Sequence, residues 1–357
     1  MLAWSLLSLA TAIVLAALTL LVCGACYRPA RHALRLLVAQ RQDHANGWFT
    51  LVLRRPWYAR ALALPRFEAG QSVALSFPHT DLRRRYSLAR WHKTPRHYQV
   101  TIKPEPLGKL SNRLASHGVP GTPLCVGRPT GDFTLAPAAT QRAVLIAGGV
   151  GITPLLAMLD QWQAEPAAWT QIHLYWQVRF EGDWVYRDPL HALARRDPRL
   201  RLRLLASKAV QGRAERLSVA LLRQELGDLS NCTFLMCASA PMLEELTTGL
   251  TAQGVASSAI HYERFTLGGA TQPEGEWQLS IAGTRLPFRH HRNLLDALED
   301  GGVPVRADCR TGTCGQCRLN LLEGQTAELV RPEFVVAPGQ VLACCCIPRS
   351  DLSLSLT

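Results

Sequence analysis

The chain has 357 residues, 48% of them hydrophobic and 18% charged, which excludes a disordered polymer and leaves room for two or three packed domains. Its eleven cysteines are bunched, with Cys309, Cys314, Cys317, Cys344, Cys345 and Cys346 near the end and Cys23 and Cys26 near the start. That distribution excludes an evenly stapled secreted scaffold and points to metal ligation in a reducing compartment. The formal charge is +12, yet residues 274–357 hold 8 Arg against 10 Asp and Glu, so the basic excess belongs to the rest of the chain. No nucleic-acid recognition motif accompanies it, and nucleic acid is not expected as a partner.

Leu2 to Cys26 is a run of 25 residues without a charge. As a helix rising 1.5 Å per residue it exceeds the roughly 30 Å hydrocarbon core of a bilayer, so residues 1–27 are expected to form a transmembrane anchor. A cleaved signal peptide fits less well, because no basic residue precedes the run and its length exceeds the usual apolar core of such peptides. Arg28, Arg31 and Arg35 follow it, and the positive-inside bias then places a single-pass protein in the inner membrane with its catalytic domains cytoplasmic.

Short alternating runs, Phe49 to Leu53, Val73 to Phe77 and Tyr98 to Ile102, read as half-buried strands, and residues 36–137 as an antiparallel barrel. Within it lie Arg85-Tyr86-Ser87-Leu88, then Gly108-Lys109-Leu110-Ser111-Asn112, then Gly127 to Phe133. An arginine can clamp a phosphate, an aromatic ring can lie on a flat heterocycle and a hydroxyl can bond its edge. From Ala143 the pattern changes to apolar strands alternating with helices, which predicts a parallel doubly wound sheet over residues 138–265. There Gly148, Gly149 and Gly151 precede Thr153 and Pro154. Glycines let a pyrophosphate approach the backbone, and a Thr153 cap with Pro154 at the first helical position would aim a helix N-terminus at it. Residues 266–276 form a Gly-, Thr- and Pro-rich linker, and residues 277–357 a third, acidic module. That module carries Cys309, Cys314 and Cys317 at C-x4-C-x2-C spacing with a further cysteine group at 344–346, a set suited to a [2Fe-2S] cluster. His290-His291 is too isolated to hold a di-iron site.

Residues 36–265 resemble the ferredoxin-NADP reductase superfamily, and roughly the last eighty residues resemble plant-type ferredoxins. The second resemblance selects Cys344 as fourth ligand, because Pro348 follows it by four positions, and implies a β-grasp fold. The first implies FAD, with Arg85 on its phosphate, Tyr86 on its ring, Ser87 near its reactive nitrogen, and Leu88, Gly108, Leu110, Ser111 and Asn112 lining the same site. It also places Cys237, Glu263 and Phe265 at the nicotinamide, with Phe265 shielding the flavin. Arg179, Ser207, Lys208 and Arg213 would contact the dinucleotide, and the last three favour NADPH over NADH. The expected fold class is therefore α+β multidomain: a transmembrane helix, a flavin barrel, an α/β nicotinamide domain and a β-grasp ferredoxin domain. The expected function is a membrane-anchored reductase passing electrons from NAD(P)H through FAD and a [2Fe-2S] cluster to a terminal oxygenase, hydroxylase or desaturase. A redox-sensing or assembly protein holding the same cofactors is the alternative. The ferredoxin module is expected to swing on its linker.

Overall fold

The computed structural model describes residues 33–80, 82–106, 108–135, 142–165, 169–208, 214–266 and 275–357. The expected anchor, residues 1–27, lies outside them, as do Arg213 and most of the expected linker. No helix among the described residues is long and apolar enough to cross a membrane. No described helix therefore supports the transmembrane element of the expected fold class or the single-pass inner-membrane placement. An uncharged apolar run is a necessary condition for a span and not a sufficient one.

The first sheet is antiparallel. It comprises β1 (Leu34–Asp43), β2 (Phe49–Arg54), β3 (Ser72–Ser76), β4 (Arg83–Ser87), β5 (His97–Ile102) and β6 (Pro123–Val126), in the order β4-β3-β6-β1-β2-β5. Alternation along the strands turns Leu36, Val38, Leu51, Leu53, Val73 and Leu75 into one core. The edge strands are brought together just past β4, where the Ala89 amide donates to the Gln99 carbonyl at 2.8 Å, so the sheet curls into a barrel. Helix α1 (Lys109–His117) packs Leu110 and Leu114 into the same core.

The second sheet is wholly parallel, with β7 (Arg142–Gly148), β8 (Gln171–Val178), β9 (Leu200–Ala206), β10 (Cys232–Ser239) and β11 (Ile260–Thr266) in the order β11-β10-β7-β8-β9. Its central strand β7 is apolar without alternation, Ala143 to Ala147 being buried, because both faces are covered. Helix α2 (Ile152–Ala164) fills one face with Leu155, Met158 and Trp162, and α5 (Ala240–Ala252), the helix after α3 (Arg187–Arg196) and α4 (Val219–Leu226), fills the other with Leu243, Leu246 and Leu250.

The third unit has β12 (Trp277–Ile281), β13 (Thr284–Phe288), β14 (Arg318–Glu323), β16 (Gln340–Leu342) and β18 (Leu352–Leu356) in one sheet of order β13-β12-β18-β14-β16, and β15 (Thr326–Glu328) with β17 (Cys346–Pro348) in a second. Helix α6 (Leu294–Asp300) lies against them and begins at Asn293, whose side chain accepts from the Asp296 amide as an N-cap. Strands β12 and β18 run parallel at the centre of an otherwise antiparallel sheet, the β-grasp arrangement.

Candidate flavin, nicotinamide and cluster sites

On β4 the side chains of Arg85 and Ser87 serve different neighbours. Arg85 donates to Ser72 Oγ at 2.9 Å and to the Thr130 carbonyl at 2.8 Å, so the barrel fixes its guanidinium, and its remaining arm pairs with Asp308 at 3.2 Å. Tyr86 is half-buried against the barrel core, and burial pushes its phenol well above the ordinary range. Leu88 and Leu110 turn fully into that core, so their side chains face away from any ligand and only their backbone can meet one. At the start of α1, a side chain on Gly108 would collide with Ser111 Oγ at 2.2 Å. Ser111 Oγ accepts from the Glu105 amide at 3.2 Å, and Asn112 holds the Glu105 carbonyl at 2.9 Å. No side chain caps α1, which leaves its first amides free for a phosphate.

The loop after β7 is shaped by contact with β10. A Cβ on Gly151 would stand 2.0 Å from the Cys237 carbonyl oxygen, and one on Gly148 would stand 2.8 Å from Ala238 Cβ. Gly149 instead faces open space with φ +56, and the Trp176 indole pins its carbonyl at 2.8 Å. Thr153 does not cap α2: a 3-10 turn over Gly149–Gly151 moves the helix start back, and the buried Thr153 hydroxyl donates to the Val150 carbonyl at 3.1 Å. Pro154 accordingly falls third in the helix, still within the first turn where a missing N–H costs nothing. Arg179, Ser207 and Lys208 lie just past the carboxyl ends of β8 and β9, the edge at which open parallel sheets take ligands. There the Arg179 guanidinium sits 5.4 Å from the Phe180 ring centre, and the Lys208 amide donates to the Arg179 carbonyl.

Cys237 and Glu263 are register partners on β10 and β11. Glu263 Oε2 lies 3.5 Å from Ser87 Oγ and 4.0 Å from Cys237 Sγ, which joins a barrel residue to two residues of the parallel sheet. Phe265 packs nearby against the α2 side of the core. Burial keeps the Cys237 thiol protonated, with Glu263 adding to the effect. Burial also pushes the Glu263 carboxyl up to about 7, against the pull of Arg85 and Ser87. A carboxyl that binds its proton more tightly when folded loses stability as pH rises from the unfolded value toward the folded one. Glu263→Gln should therefore be more stable than the parent above pH 7, by at most about 3 kcal/mol and less for a group partly open to solvent. The gap should close toward pH 4.5. A thermal-midpoint difference that stays constant over this range would contradict it.

In the third unit the four expected sulfurs pair two by two. The Cys314 amide points at Cys309 Sγ at 3.3 Å and the Thr311 amide at 3.4 Å, and with the Cys314 thiol these contacts hold Cys309 down toward the thiolate. The Cys317 thiol meets Cys344. Among the described residues no three metal-binding side chains converge on one point. Two pairs of sulfurs are what a binuclear cluster requires, each iron taking two of them, so the donor set fits a [2Fe-2S] group. The loop is shaped for close wrapping: Gly312 and Gly315 have φ +84 and +67, and side chains there would strike Cys345 Sγ and the Phe334 ring. Cys345 and Cys346 are buried, with Cys346 Sγ donating to the Leu342 carbonyl at 3.2 Å and Cys345 Sγ 3.4 Å from Cys344 Sγ.

A set of ion pairs joining the barrel and strand β11 of the parallel sheet to the third unit went unread in the sequence. Arg84 bonds Glu299 at 3.3 Å, Arg85 bonds Asp308, and Lys109 bonds Asp300. Arg264 reaches Glu333 at 3.4 Å and the Arg331 carbonyl at 2.8 Å. Arg310 closes the network onto Glu299 and Asp296. The module is thus docked beside the barrel, where the sequence suggested a free swing. Its signal was the charge contrast between the acidic last module and the basic body.

Comparison with known proteins agrees with this arrangement. The family described as Oxidoreductase NAD-binding domain matches residues 145–247, and the 2Fe-2S iron-sulfur cluster binding domain matches residues 280–349. The heme-dependent oxidative N-demethylase beta subunit of Ectopseudomonas mendocina is 31% identical, over 74% of this chain and 81% of that protein. The NADH oxidoreductase HCR of Escherichia coli is 26% identical, over 81% and 89%. The structure of phthalate dioxygenase reductase superposes with a TM-score of 0.70 at 23% identity, covering 91% of this chain and 98% of that one. The chain belongs to the oxidoreductases that join a ferredoxin-NADP-reductase-like unit, binding FAD and NAD(H), to a C-terminal [2Fe-2S] domain, the family of reductase components of oxygenase systems.

Proposed function

We propose that this protein draws electrons from NAD(P)H and delivers them singly to a terminal oxygenase or hydroxylase, with a desaturase as a further acceptor of the same kind. The observation that carries this reading is the Ser87–Glu263–Cys237 contact beside the Gly148–Gly151 loop, with the cluster-bearing module docked on the same strand β4. In this reading residues 36–137 hold FAD, residues 138–265 the dinucleotide and residues 277–357 the cluster. Bound FAD would supply the exchange between one hydride, which carries two electrons, and single electrons, and the protein would orient it.

The residues of this chain do the positioning. The first α1 amides, those of Lys109 to Ser111 next to Gly108, and the guanidinium of Arg85 would receive the flavin's phosphates, Arg85 exchanging Asp308 for phosphate oxygen, while Tyr86 would lie on the ring. Gly148, Gly149 and Gly151 admit the dinucleotide pyrophosphate to the uncapped start of α2. Cys237, held as a thiol, gives the nicotinamide a neutral wall, and Glu263 near its midpoint can pass a proton to or from Ser87 Oγ. Phe265 closes the face. The loop of Cys309, Cys314 and Cys317 with Cys344 holds the cluster.

Steady-state reduction of ferricyanide separates the electron-transfer reading from a redox sensor. Sustained turnover over many cycles is expected with NADPH or NADH. Because Lys208 stands at the end of β9, with Ser207, we expect NADPH to have the larger specificity constant. A single stoichiometric reduction followed by arrest would instead mark a sensor.

A further inference from the structure

A wide trough of about 1060 Å³ opens between the barrel and α2. It is framed by the end of β2, the chain between β4 and β5, and the last turn of α2. Asp160, on its floor, lies eight residues along α2 from Ile152, about 12 Å down the helix axis from the dinucleotide loop. Six cations line it: Arg54, Arg55, Arg60, Arg90, Lys93 and Arg96. Asp160 is the one carboxylate among the lining residues, and it is already engaged, accepting from Arg90 at 2.9 Å and from the Trp91 amide at 3.1 Å. Among the described residues none of the other five cations forms an ion pair, and Arg54, Arg60, Lys93 and Arg96 are exposed. Five like charges held together without counter-charge repel one another, and an anionic surface relieves that repulsion.

Beside the trough the turn after β2 carries Trp57 at 78%, Tyr58 at 72% and Leu62 at 61% exposure. Exposed aromatics beside arginines have the composition of protein-binding hot spots. A small polyphosphate would call for a built pocket with a convergent buried polar group, whereas these cations stand on long exposed arms around an open channel.

We infer that this trough docks an acidic face of a partner protein, whose carboxylates meet Arg54, Arg60, Lys93 and Arg96 while Trp57, Tyr58 and Leu62 pack against its apolar residues. The surface holds the partner and does not pass electrons to it, so the inference stands whether or not that partner is the electron acceptor.

A labelled, glutamate-rich copolymer with tyrosine serves as probe for the full-length protein at low salt, read by fluorescence anisotropy. Arg54→Glu/Arg60→Glu/Arg96→Glu should weaken binding by about tenfold or more, and Trp57→Ala/Tyr58→Ala should weaken it measurably at unchanged charge. Arg195→Glu/Arg196→Glu/Arg349→Glu, an equal charge change elsewhere, should leave it within about twofold. Ferricyanide reduction should be the same in all variants, showing that each is folded and loaded. The inference is overturned if the control variant loses as much binding, if the aromatic pair proves indifferent, or if inorganic tripolyphosphate or phosphatidylglycerol vesicles compete the copolymer off through the same arginines.

Discussion

Replacing Cys314 with serine is expected to abolish the cluster absorbance and its electron paramagnetic signal, and to bring electron delivery through the ferredoxin module to background. Cys314 pairs with Cys309, whose sulfur the loop amides already favour as thiolate, so the change removes half the protein ligation of one iron. Serine keeps the shape and supplies a harder oxygen that suits iron-sulfur chemistry poorly. The flavin and dinucleotide sites are built on other sheets, so FAD content and ferricyanide reduction should persist. Cys346→Ala, which loses only a buried contact with the Leu342 carbonyl, should retain the cluster. If the serine variant lost its flavin as well, the assignment of the two groups to separate units would fail.

The second large effect is expected at Gly151. An added methyl would stand 2.0 Å from the Cys237 carbonyl and 3.2 Å from its sulfur, so the loop must move away from β10 or β10 must bend. Either displacement shifts the start of α2 relative to Cys237, at the place proposed for the nicotinamide. A misplacement near 1 Å can cost on the order of a hundredfold in rate, and that loss is expected in kcat/KM for NADPH and NADH with Gly151→Ala. Gly254→Ala, in the turn after α5, offers the contrast. Its methyl would enter open space, and the cost is the left-handed backbone, about 1 kcal/mol. Equal kinetics for the two variants would show that contact with β10 does not place the loop.

What could be read in the sequence was what is local. Cys309, Cys314 and Cys317 fall within nine residues, and their spacing alone announced the loop. Strand β7 and the glycines after it were legible because a buried parallel strand and a tight turn each leave a compositional mark over a few positions. Thr153 was misread by a single turn of 3-10 helix, a shift too small for periodicity to register. Leu88 and Leu110 share segments with residues proposed to face the flavin, yet alternation along a strand and the pitch of a helix send them inward. The Arg84–Glu299 and Arg85–Asp308 pairs span more than two hundred residues of sequence, and such partners are fixed only when three units are folded and placed. The expected anchor rested on hydropathy over residues 1–27, which lie outside the described residues.

The docking of the last module has a bearing on how such a chain can be assembled or redesigned. Ferredoxin units are commonly treated as interchangeable beads whose cluster loop is their whole credential. Here Glu299, Asp300, Asp308 and Glu333 lie outside that set of ligands and meet Arg84, Lys109, Arg85 and Arg264 across the seam. A foreign ferredoxin fused at the same joint would bring its cysteines but not these carboxylates, and would leave Arg84, Lys109 and Arg264 of its host without counter-charges. The inheritable part is therefore the fold together with its complementary edge, and a working chimaera must graft both.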